Sequence, residues 1–488
     1  MDKLQTSRPK GPGAWPVMLY KTRKIKNKDR YWQAPILTTK GKEMSDINYG
    51  DPNATPPMGQ AIPLGLQHVL AMFASNVTPP FLVAIAASMF PGSDGSIYLI
   101  QMAMLFAGIA TLFQTVGMGP IGARLPIMQG TSFAFVGVLS GIAATAGIDV
   151  ALTACIIAGI FHFALGSVIK EIRWMFPPLV TGLVVLAIGL YLIPVAIQYA
   201  GGGAGPAMAA DSFGSLAHWV SALTVIVVAL ACKFLGRGFV ASAAILIGLI
   251  AGFAISMLLI DGAWDKLTGG VASAAIFAFP KPLPFGFNFD LWAVVAVAIV
   301  SIVSAIETVG DTSATTKAGA GRDASDEEIA GATYADGLGT AIAGVFGGLP
   351  NTSFSQNVGI VGLTGVMSRH VVTISAIILI ACGFIPKIGA VFANMPLPVL
   401  GGGVIVMFGM VAAAGMNMLS EIKMNRRNMV IISVSLAVGL GLNLVPSAVQ
   451  WIDGSKETQN TLEILFTSAV APTAIIAVVL NLILPQED

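Results

Sequence analysis

The chain contains 488 residues, of which 55% are hydrophobic and only 10% are charged, with a formal net charge of +1 at pH 7. Its mean hydropathy is +0.81, well above that of soluble domains, which excludes an ordinary soluble enzyme and a nucleic-acid-binding protein. The composition therefore predicts an all-α polytopic membrane protein.

The N-terminal segment 1–59 precedes the first long apolar stretch. Residues 1–43 hold eleven of the 26 Lys and Arg residues. They contain no long apolar core followed by a small-residue cleavage site, so they do not resemble a secretory signal peptide. We expect a basic, disordered cytoplasmic tail, and binding of this tail to anionic lipid headgroups is the alternative.

Fourteen apolar stretches follow, each close to the roughly 20 residues that a membrane-spanning helix needs. The loops between them are short and leave no room for a soluble domain. The predicted spans are 60–85, 98–118, 125–144, 150–168, 177–199, 216–234, 239–260, 288–308, 329–347, 349–366, 370–393, 398–418, 428–446 and 461–484.

The distribution of Lys and Arg predicts the orientation of these spans. If the N-terminus is cytoplasmic and all fourteen stretches cross the membrane, 22 of the 26 basic residues lie on the cytoplasmic side, as the positive-inside rule requires. We therefore expect a multi-pass protein of the cell's inner (plasma) membrane with both termini in the cytoplasm.

Two motifs recur in the same order along the chain. The tripeptide "TSF" at 131–133 returns at 352–354, a spacing of 221, and "MFPPLVTGLVVLAIG" at 175–189 resembles "MPLPVLGGGVIVMFG" at 395–409, a spacing of 220. The first motif lies in the third and tenth stretches and the second lies in the fifth and twelfth, so the repeat unit is seven spans. Because seven is odd, the second copy is inserted with the opposite topology. We predict a 7+7 inverted repeat in which segments 3 and 10 are broken helices. Their polar extended stretches are expected at 130–135 and 351–357.

Acidic and polar residues inside the apolar stretches mark a candidate site. Glu307 and Asp311 lie one helical turn apart, on one face of segment 8. An ionisable group inside the membrane costs about 2.5–3.5 kcal/mol on insertion scales and is functional by default. For Gln67-His68 in segment 1 and Asp336 in segment 9, a role in helix packing is the alternative.

Enzyme motifs are absent from the sequence: there is no phosphate-binding loop, no H-E-x-x-H and no G-x-S-x-G. The three cysteines all lie in apolar stretches, which favours neither a disulfide nor a metal site. We expect no enzyme activity, no ATP-driven pumping, no cofactor and no metal. A secondary transporter, a channel or an exchanger remains.

The stretch "QNVGIVGLTG" at 356–365 resembles the signature of the nucleobase-ascorbate transporter family, which reads Gln, Glu or Pro, then Asn-x-Gly-x-x-x-x-Thr, then Arg, Lys or Gly. Gln67-His68, "GTSFAF" in segment 3, "ETVGD" in segment 8 and "ADG" in segment 9 agree with that family, so the resemblance covers residues 60–484. It implies fourteen spans, a homodimer in lipid, and a core domain that carries substrate past a gate domain. The implied core is 60–174 and 288–394, and the implied gate is 175–287 and 395–488.

The resemblance also implies roles for particular side chains. Carried over position by position, it gives substrate contacts at Phe133, Glu307, Phe354, Ser355 and Gln356. It gives coupling or supporting roles to Gln67, His68, Asp311, Asp336 and Asn357.

This set of side chains has a chemical rationale of its own. A carboxylate accepts two N–H donors, a primary amide offers a donor and an acceptor, and a phenyl face stacks on a flat ring. Together they are suited to a planar lactam. Gln356, Gly365 and Asp311 resemble the bacterial xanthine and uric acid permeases, whereas uracil permeases typically carry Glu, Arg and His there. Xanthine and uric acid are not separated by these residues.

The sequence analysis therefore predicts import of an oxidised purine by proton symport, with an elevator-like movement of the core. A uracil or other nucleobase permease of the same family is one alternative, and an inorganic-anion exchanger with the same inverted repeat is another. Sodium is the alternative coupling ion, because carboxylates also bind cations.

Overall fold

A computed structural model of the chain describes residues 48–203, 208–449 and 456–486, and α-helices make up nearly all of its regular structure. Up to residue 290 the helices are α1 (Met58–Ala86), α2 (Asp94–Val116), α3 (Val136–Thr145), α4 (Ile148–Ile172), α5 (Pro178–Tyr191), α6 (Ile193–Ala200), α7 (Leu216–Leu235), α8 (Phe239–Ser242), α9 (Ala244–Leu259) and α10 (Ala263–Ser273).

The later part of the chain repeats this alternation of long and short helices. They are α11 (Leu291–Ala320), α12 (Asp326–Val345), α13 (Ser355–Thr364), α14 (Arg369–Gly383), α15 (Pro386–Ala393), α16 (Leu397–Ser420), α17 (Arg426–Leu444), α18 (Lys456–Thr467) and α19 (Val470–Ile483). Two short strands, β1 (Gln129–Thr131) and β2 (Asn351–Ser353), precede α3 and α13, and short 3-10 helices lie at Phe133–Phe135, Arg173–Met175 and Pro446–Val449.

Local sequence explains where several helices begin. Ser325 caps α12, because its hydroxyl accepts the N–H of Glu328 while the Glu328 carboxylate accepts the N–H of Ser325, a capping box. Prolines near the start of α6 and at the start of α15 lack the N–H that a continuous helix would use. They separate these short helices from the long ones before them.

Eight helical spans within the described residues are long and apolar enough to cross a membrane, or ten if each of two bent pairs counts as one span. The bent pairs are α9 with α10, at 120°, and α14 with α15, at 79°. The other predicted stretches contain helices that are short, such as α3, α13 and α19, or rich in glycine and polar residues, such as α12. The protein is thus a helical multi-pass membrane protein, while the fourteen-span count stays a prediction.

The eighth predicted stretch, 288–308, is longer than expected. It forms α11, which continues to Ala320 and ends at Gly321, a glycine with φ of 66°. The threonines of this polar extension do not interrupt the helix, because the hydroxyls of Thr308 and Thr316 each donate to the carbonyl one turn earlier. Glu307 therefore lies in the middle of a helix and not near its end.

The helices pack in two sets. In the first, α4 packs on α12, α2 packs on α14, α11 contacts α4, α12 and α13, and α1 contacts α2, α3 and α14. In the second, α5 and α6 pack on α16, α7 packs on α8 and α9, and α17 packs on α19.

The chain is already ordered before the predicted tail boundary at residue 59. The carbonyls of Tyr49, Pro52 and Ala54 accept hydrogen bonds from the start of α14 and the loop before it. The basic part of the predicted tail, residues 1–43, lies outside the described residues.

Candidate functional site

The two strands pair with each other within the first helix set, and we call the place where they pair the crossing. They pair antiparallel, with Gln129 opposite Ser353, Gly130 opposite Thr352 and Thr131 opposite Asn351. A Cβ on Gly130 would lie 2.5 Å from the Phe354 ring and 2.8 Å from Asn76 Oδ1. Only glycine permits this close approach.

The half-helices α3 and α13 begin at this crossing. The extended stretches are shorter than predicted, because residues 133–135 already form a 3-10 helix and 355–357 belong to α13. Ser132 explains the early helix start, since its hydroxyl accepts the N–H of Ala134. The first N–H groups of a helix lack intrahelical acceptors, so the start of α13 can provide donors here. At the other half-helix, the N–H groups of Ala134, Val136 and Gly137 already have acceptors.

Helix α1 supports the crossing through buried amide and imidazole groups. Asn76 Oδ1 accepts from the N–H of Thr131 at 2.8 Å and from its hydroxyl at 3.2 Å. Asn357 Nδ2 lies 3.1 Å from Nδ1 of His68 and donates to the His68 carbonyl at 3.0 Å. Asn357 and His68 thus join α13 to α1, and their coupling or supporting roles stay a prediction.

Asp311 joins α11 to the start of α13. Its two carboxylate oxygens accept hydrogen bonds from the hydroxyls of Ser353 and Ser355, each at 2.8 Å. Ser355, predicted as a substrate contact, therefore directs its hydroxyl to Asp311. The backbone N–H of Ser355 lies at the start of α13, where an N–H group lacks an intrahelical acceptor.

Asp336 is fully buried in α12. Its carboxylate accepts from Gln114 Nε2 at 3.0 Å, from Gln129 Nε2 at 2.5 Å and from the hydroxyl of Thr308. These three donors satisfy the oxygens of a carboxyl group that no solvent reaches. Asp336 therefore holds α12, α2, β1 and α11 together at the crossing.

Glu307 and Gln356 differ from these groups. Both are partly exposed, and among the residues that the structure describes none hydrogen-bonds to either side chain. Glu307 also interacts electrostatically with Asp311 and Asp336, and none of the three acids forms an ion pair with a described residue. One carboxyl and one amide are thus available to a ligand at the crossing.

Two phenylalanines lie just after the two paired strands. Phe133 and Phe354 are 8% and 5% exposed, and they occupy equivalent positions of the repeated "TSF" motif. The Phe133 ring meets Phe408 of α16 edge to face, with centroids 5.2 Å apart. The site therefore lies where the two helix sets meet.

The remaining predicted residue, Gln67, does not point to the crossing. Its amide donates to the hydroxyl of Ser242 in α8 at 2.7 Å, so it joins the two helix sets.

A cavity of about 380 Å³ also lies apart from the site, between α16 and α17. Its lining is Met416, Leu419, Ser420, Met424, Met429, Ile432 and Ser433.

The sequence analysis did not identify several of the groups that build the site. Asn76, Gln114 and Gln129 are buried amides inside apolar stretches, and Thr308 directly follows Glu307. A buried amide in a membrane-spanning helix needs a hydrogen-bond partner. Gln114 in "FQTV" and Gln129 in "IMQG" were therefore the sequence signals for these contacts.

The chain resembles known transport proteins along most of its length. Residues 59–483 match the sequence profile described as the Permease family. The xanthine permease XanP of Escherichia coli K12 is 33% identical over 450 residues, covering 88% of this chain and 93% of XanP. The uric acid permease PucK of Bacillus subtilis is 36% identical over 399 residues, covering 81% of this chain and 90% of PucK.

Solved structures with this fold are more distant in sequence. The transmembrane domain of the cyanobacterial bicarbonate transporter BicA gives a TM-score of 0.54 at 16% identity, covering 88% of this chain and 98% of that domain. The murine anion transporter Slc26a9 in its inward-facing state gives 0.55 at 14% identity, covering 80% of this chain and 69% of that chain. At these identities the likeness concerns the fold alone.

Proposed function

The chain belongs to the permease family that contains the nucleobase-ascorbate transporters, which are transporters and not enzymes, and on this premise we propose that it imports an oxidised purine, xanthine or uric acid, by proton symport. The observation that carries the proposal is the pair Glu307 and Gln356. Neither side chain makes a hydrogen bond to a described residue, and Gln356 lies in the first turn of α13.

The chemistry of this pair suits a purine with lactam groups. Glu307 can accept ring N–H donors, and Gln356 can pair with a neighbouring N–H and carbonyl. Phe133 and Phe354 provide faces for a planar ring, and the N–H groups at the start of α13 can donate to its carbonyl oxygens. Related proteins named as xanthine and uric acid permeases support the same substrate class.

The acid cluster supports a proton as the coupling ion. Asp311 has two hydroxyl donors and Asp336 has three donors, whereas Glu307 has none among the described residues. The oxygens of Asp311 and Asp336 are thus engaged within the protein, whereas the Glu307 carboxyl group is left for a substrate and a proton. Glu307 is then the group that binds a proton together with the substrate.

The same cluster argues against an inorganic-anion exchanger, although BicA and Slc26a9 share the fold. A site for a small anion would present a cation or bare helix N-termini. Three acids at the crossing would repel an anion unless they were protonated. A uracil permease is the nearer alternative.

We extend the proposal to the architecture. The first helix set, within 60–174 and 288–394, acts as a core that moves with substrate, and the second, within 175–287 and 395–488, acts as a gate in a membrane-embedded homodimer. Both termini lie in the cytoplasm of a cell whose inner (plasma) membrane holds the protein.

This orientation is tested by epitope tags. Tags at residues 2 and 488 should be labelled only after permeabilisation, and a tag near residue 270, in α10, should be labelled in intact cells. The reason is the excess of Lys and Arg on the cytoplasmic side. An N-terminal tag accessible in intact cells would contradict the whole topology.

The substrate class is tested by Gln356→Glu. In wild-type cells, uptake of labelled xanthine or uric acid should be inhibited by the other purine and not by uracil, sulfate or bicarbonate. The substitution removes the amide donor and adds a fourth acid to a site that already holds Glu307, Asp311 and Asp336, so uptake should fall at least 100-fold. Sites that hydrogen-bond a substrate group can discriminate by about 10⁴–10⁵.

Gln198→Glu is the matched control, because Gln198 in α6 is also partly exposed and lies outside the crossing. It should transport like wild type. Gln356→Glu uptake within twofold of wild type, at equal expression, would remove Gln356 from the site. Exchange of sulfate or bicarbonate without purine uptake would contradict the proposed function.

A further inference from the structure

Tyr191 is the last residue of α5, in the second helix set, and its side chain reaches the broken helix of the first set. Its ring is 6% exposed. The hydroxyl accepts from the N–H of Gly137 at 3.1 Å and donates to the carbonyl of Phe133 at 3.3 Å. One side chain therefore binds both backbone groups of the segment that carries a proposed substrate contact.

The Gly137 N–H and the Phe133 carbonyl are two groups that a regular α-helix would pair. Gly137 is four residues after Phe133, so in a regular α-helix its N–H would bond directly to the Phe133 carbonyl. Here the Tyr191 hydroxyl stands between them, while the N–H of Val136 bonds to the same carbonyl in a 3-10 turn. The first turn of the half-helix is thus completed by a residue of another helix.

The sequence provides space for this contact. A Cβ on Gly137 would lie 3.3 Å from both Cε2 and the hydroxyl oxygen of Tyr191, closer than ordinary van der Waals contact. Phe408 of α16 meets the Phe133 ring on another side. The second helix set therefore contacts Phe133 twice, through its carbonyl and through its ring.

We infer that Tyr191 is a positioning residue for substrate binding, which holds the Phe133 ring in place through the backbone of the broken helix. The inference rests on the proposed function, because it takes Phe133 as a purine contact. Without the hydroxyl, the Gly137 N–H can bond to the Phe133 carbonyl directly, and this closure of the turn displaces the ring. Tyr191 itself does not contact the substrate.

The test is Tyr191→Phe, which removes only the hydroxyl. The KM for the purine should rise about fivefold to tenfold, the loss expected for one or two neutral hydrogen bonds. The maximal rate should stay within twofold, because the loss concerns binding. Equilibrium binding of labelled purine to the purified protein should weaken by the same factor.

Tyr199→Phe is the matched control. Tyr199 lies in α6, is 3% exposed and packs its ring on Phe81 of α1, but its hydroxyl makes no hydrogen bond to a described residue. Its KM should equal that of wild type.

Two further variants separate positioning from general structural damage. Because Tyr191 acts through Phe133, Tyr191→Phe should have little additional effect on KM in a Phe133→Leu background, a large non-additivity. Gly137→Ala keeps the tyrosine and displaces its hydroxyl, so it should raise KM in the same direction even if Tyr191→Phe folds poorly.

Each outcome has a distinct meaning. Wild-type protein that neither binds nor transports a purine overturns the proposed function, and the inference with it. Wild-type purine binding with an unchanged KM in Tyr191→Phe and Gly137→Ala overturns the inference alone. A reduced maximal rate with unchanged KM, or full additivity with Phe133→Leu, also overturns it.

Discussion

Glu307→Gln is expected to abolish purine binding and uptake, with affinity reduced at least 100-fold. The substitution replaces one acceptor oxygen with an NH₂ donor, which faces a substrate N–H, and it removes the group that takes up the proton. Because no described residue hydrogen-bonds to Glu307, the substitution breaks no hydrogen bond within the described part of the chain. The melting temperature should therefore stay within a few degrees of wild type.

The measurement is equilibrium binding of labelled xanthine and uric acid to purified protein, followed by uptake in cells. Glu171→Gln makes the same chemical change at an exposed position near the end of α4 and should bind like wild type. Binding by Glu307→Gln within twofold of wild type would remove Glu307 from the site. A collapse in stability with lost binding would assign it a structural role.

Asp311→Asn is expected to separate binding from coupling. An asparagine keeps one acceptor oxygen for a serine hydroxyl, and its NH₂ can donate to the other hydroxyl, which also accepts. The contacts with Ser353 and Ser355 can therefore survive while the negative charge is lost. Without that charge, a proton on Glu307 is less favoured, so purine should still bind while proton-driven accumulation falls at least tenfold.

Proteoliposomes provide the measurement, since exchange of labelled purine at equal pH reports binding and movement, and accumulation under an imposed proton gradient reports coupling. Asp265→Asn, a neutralised acid on the exposed helix α10, is the control and should behave like wild type. Unchanged proton-driven accumulation in Asp311→Asn would contradict the coupling scheme. Equal loss of exchange and accumulation would show that Asp311 only braces α13.

Much of this site could be predicted from local sequence, because membrane-spanning helices seldom carry acids or polar, glycine-rich interruptions without reason. The polar stretches after residues 128 and 350 form paired strands, and Asp311, Asp336, Asn357 and His68 gather around them. The predicted lengths of the two extended stretches and of segment 8 were less accurate. The Ser132 cap shortens the first extended stretch, the early start of α13 shortens the second, and α11 continues through its buried threonines.

The division of labour among these residues could not be predicted, because it depends on distances between helices. Glu307 and Asp311 look alike in sequence, yet only Asp311 receives serine hydroxyls. Ser355 lies next to Gln356, but its hydroxyl donates a hydrogen bond to Asp311. Tyr191 lies within the predicted fifth stretch, 177–199, and gives no signal until α5 is placed against the broken helix.

Uptake of labelled xanthine and uric acid into proteoliposomes of the purified wild-type protein tests the central claim most directly. Vesicles would be given an inward proton gradient, an inward sodium gradient at equal pH, or neither. The account predicts saturable accumulation above equilibrium with the proton gradient alone, which a proton ionophore abolishes. Accumulation driven by sodium alone would contradict the proposed coupling, and the absence of purine transport under every gradient would contradict the proposed function.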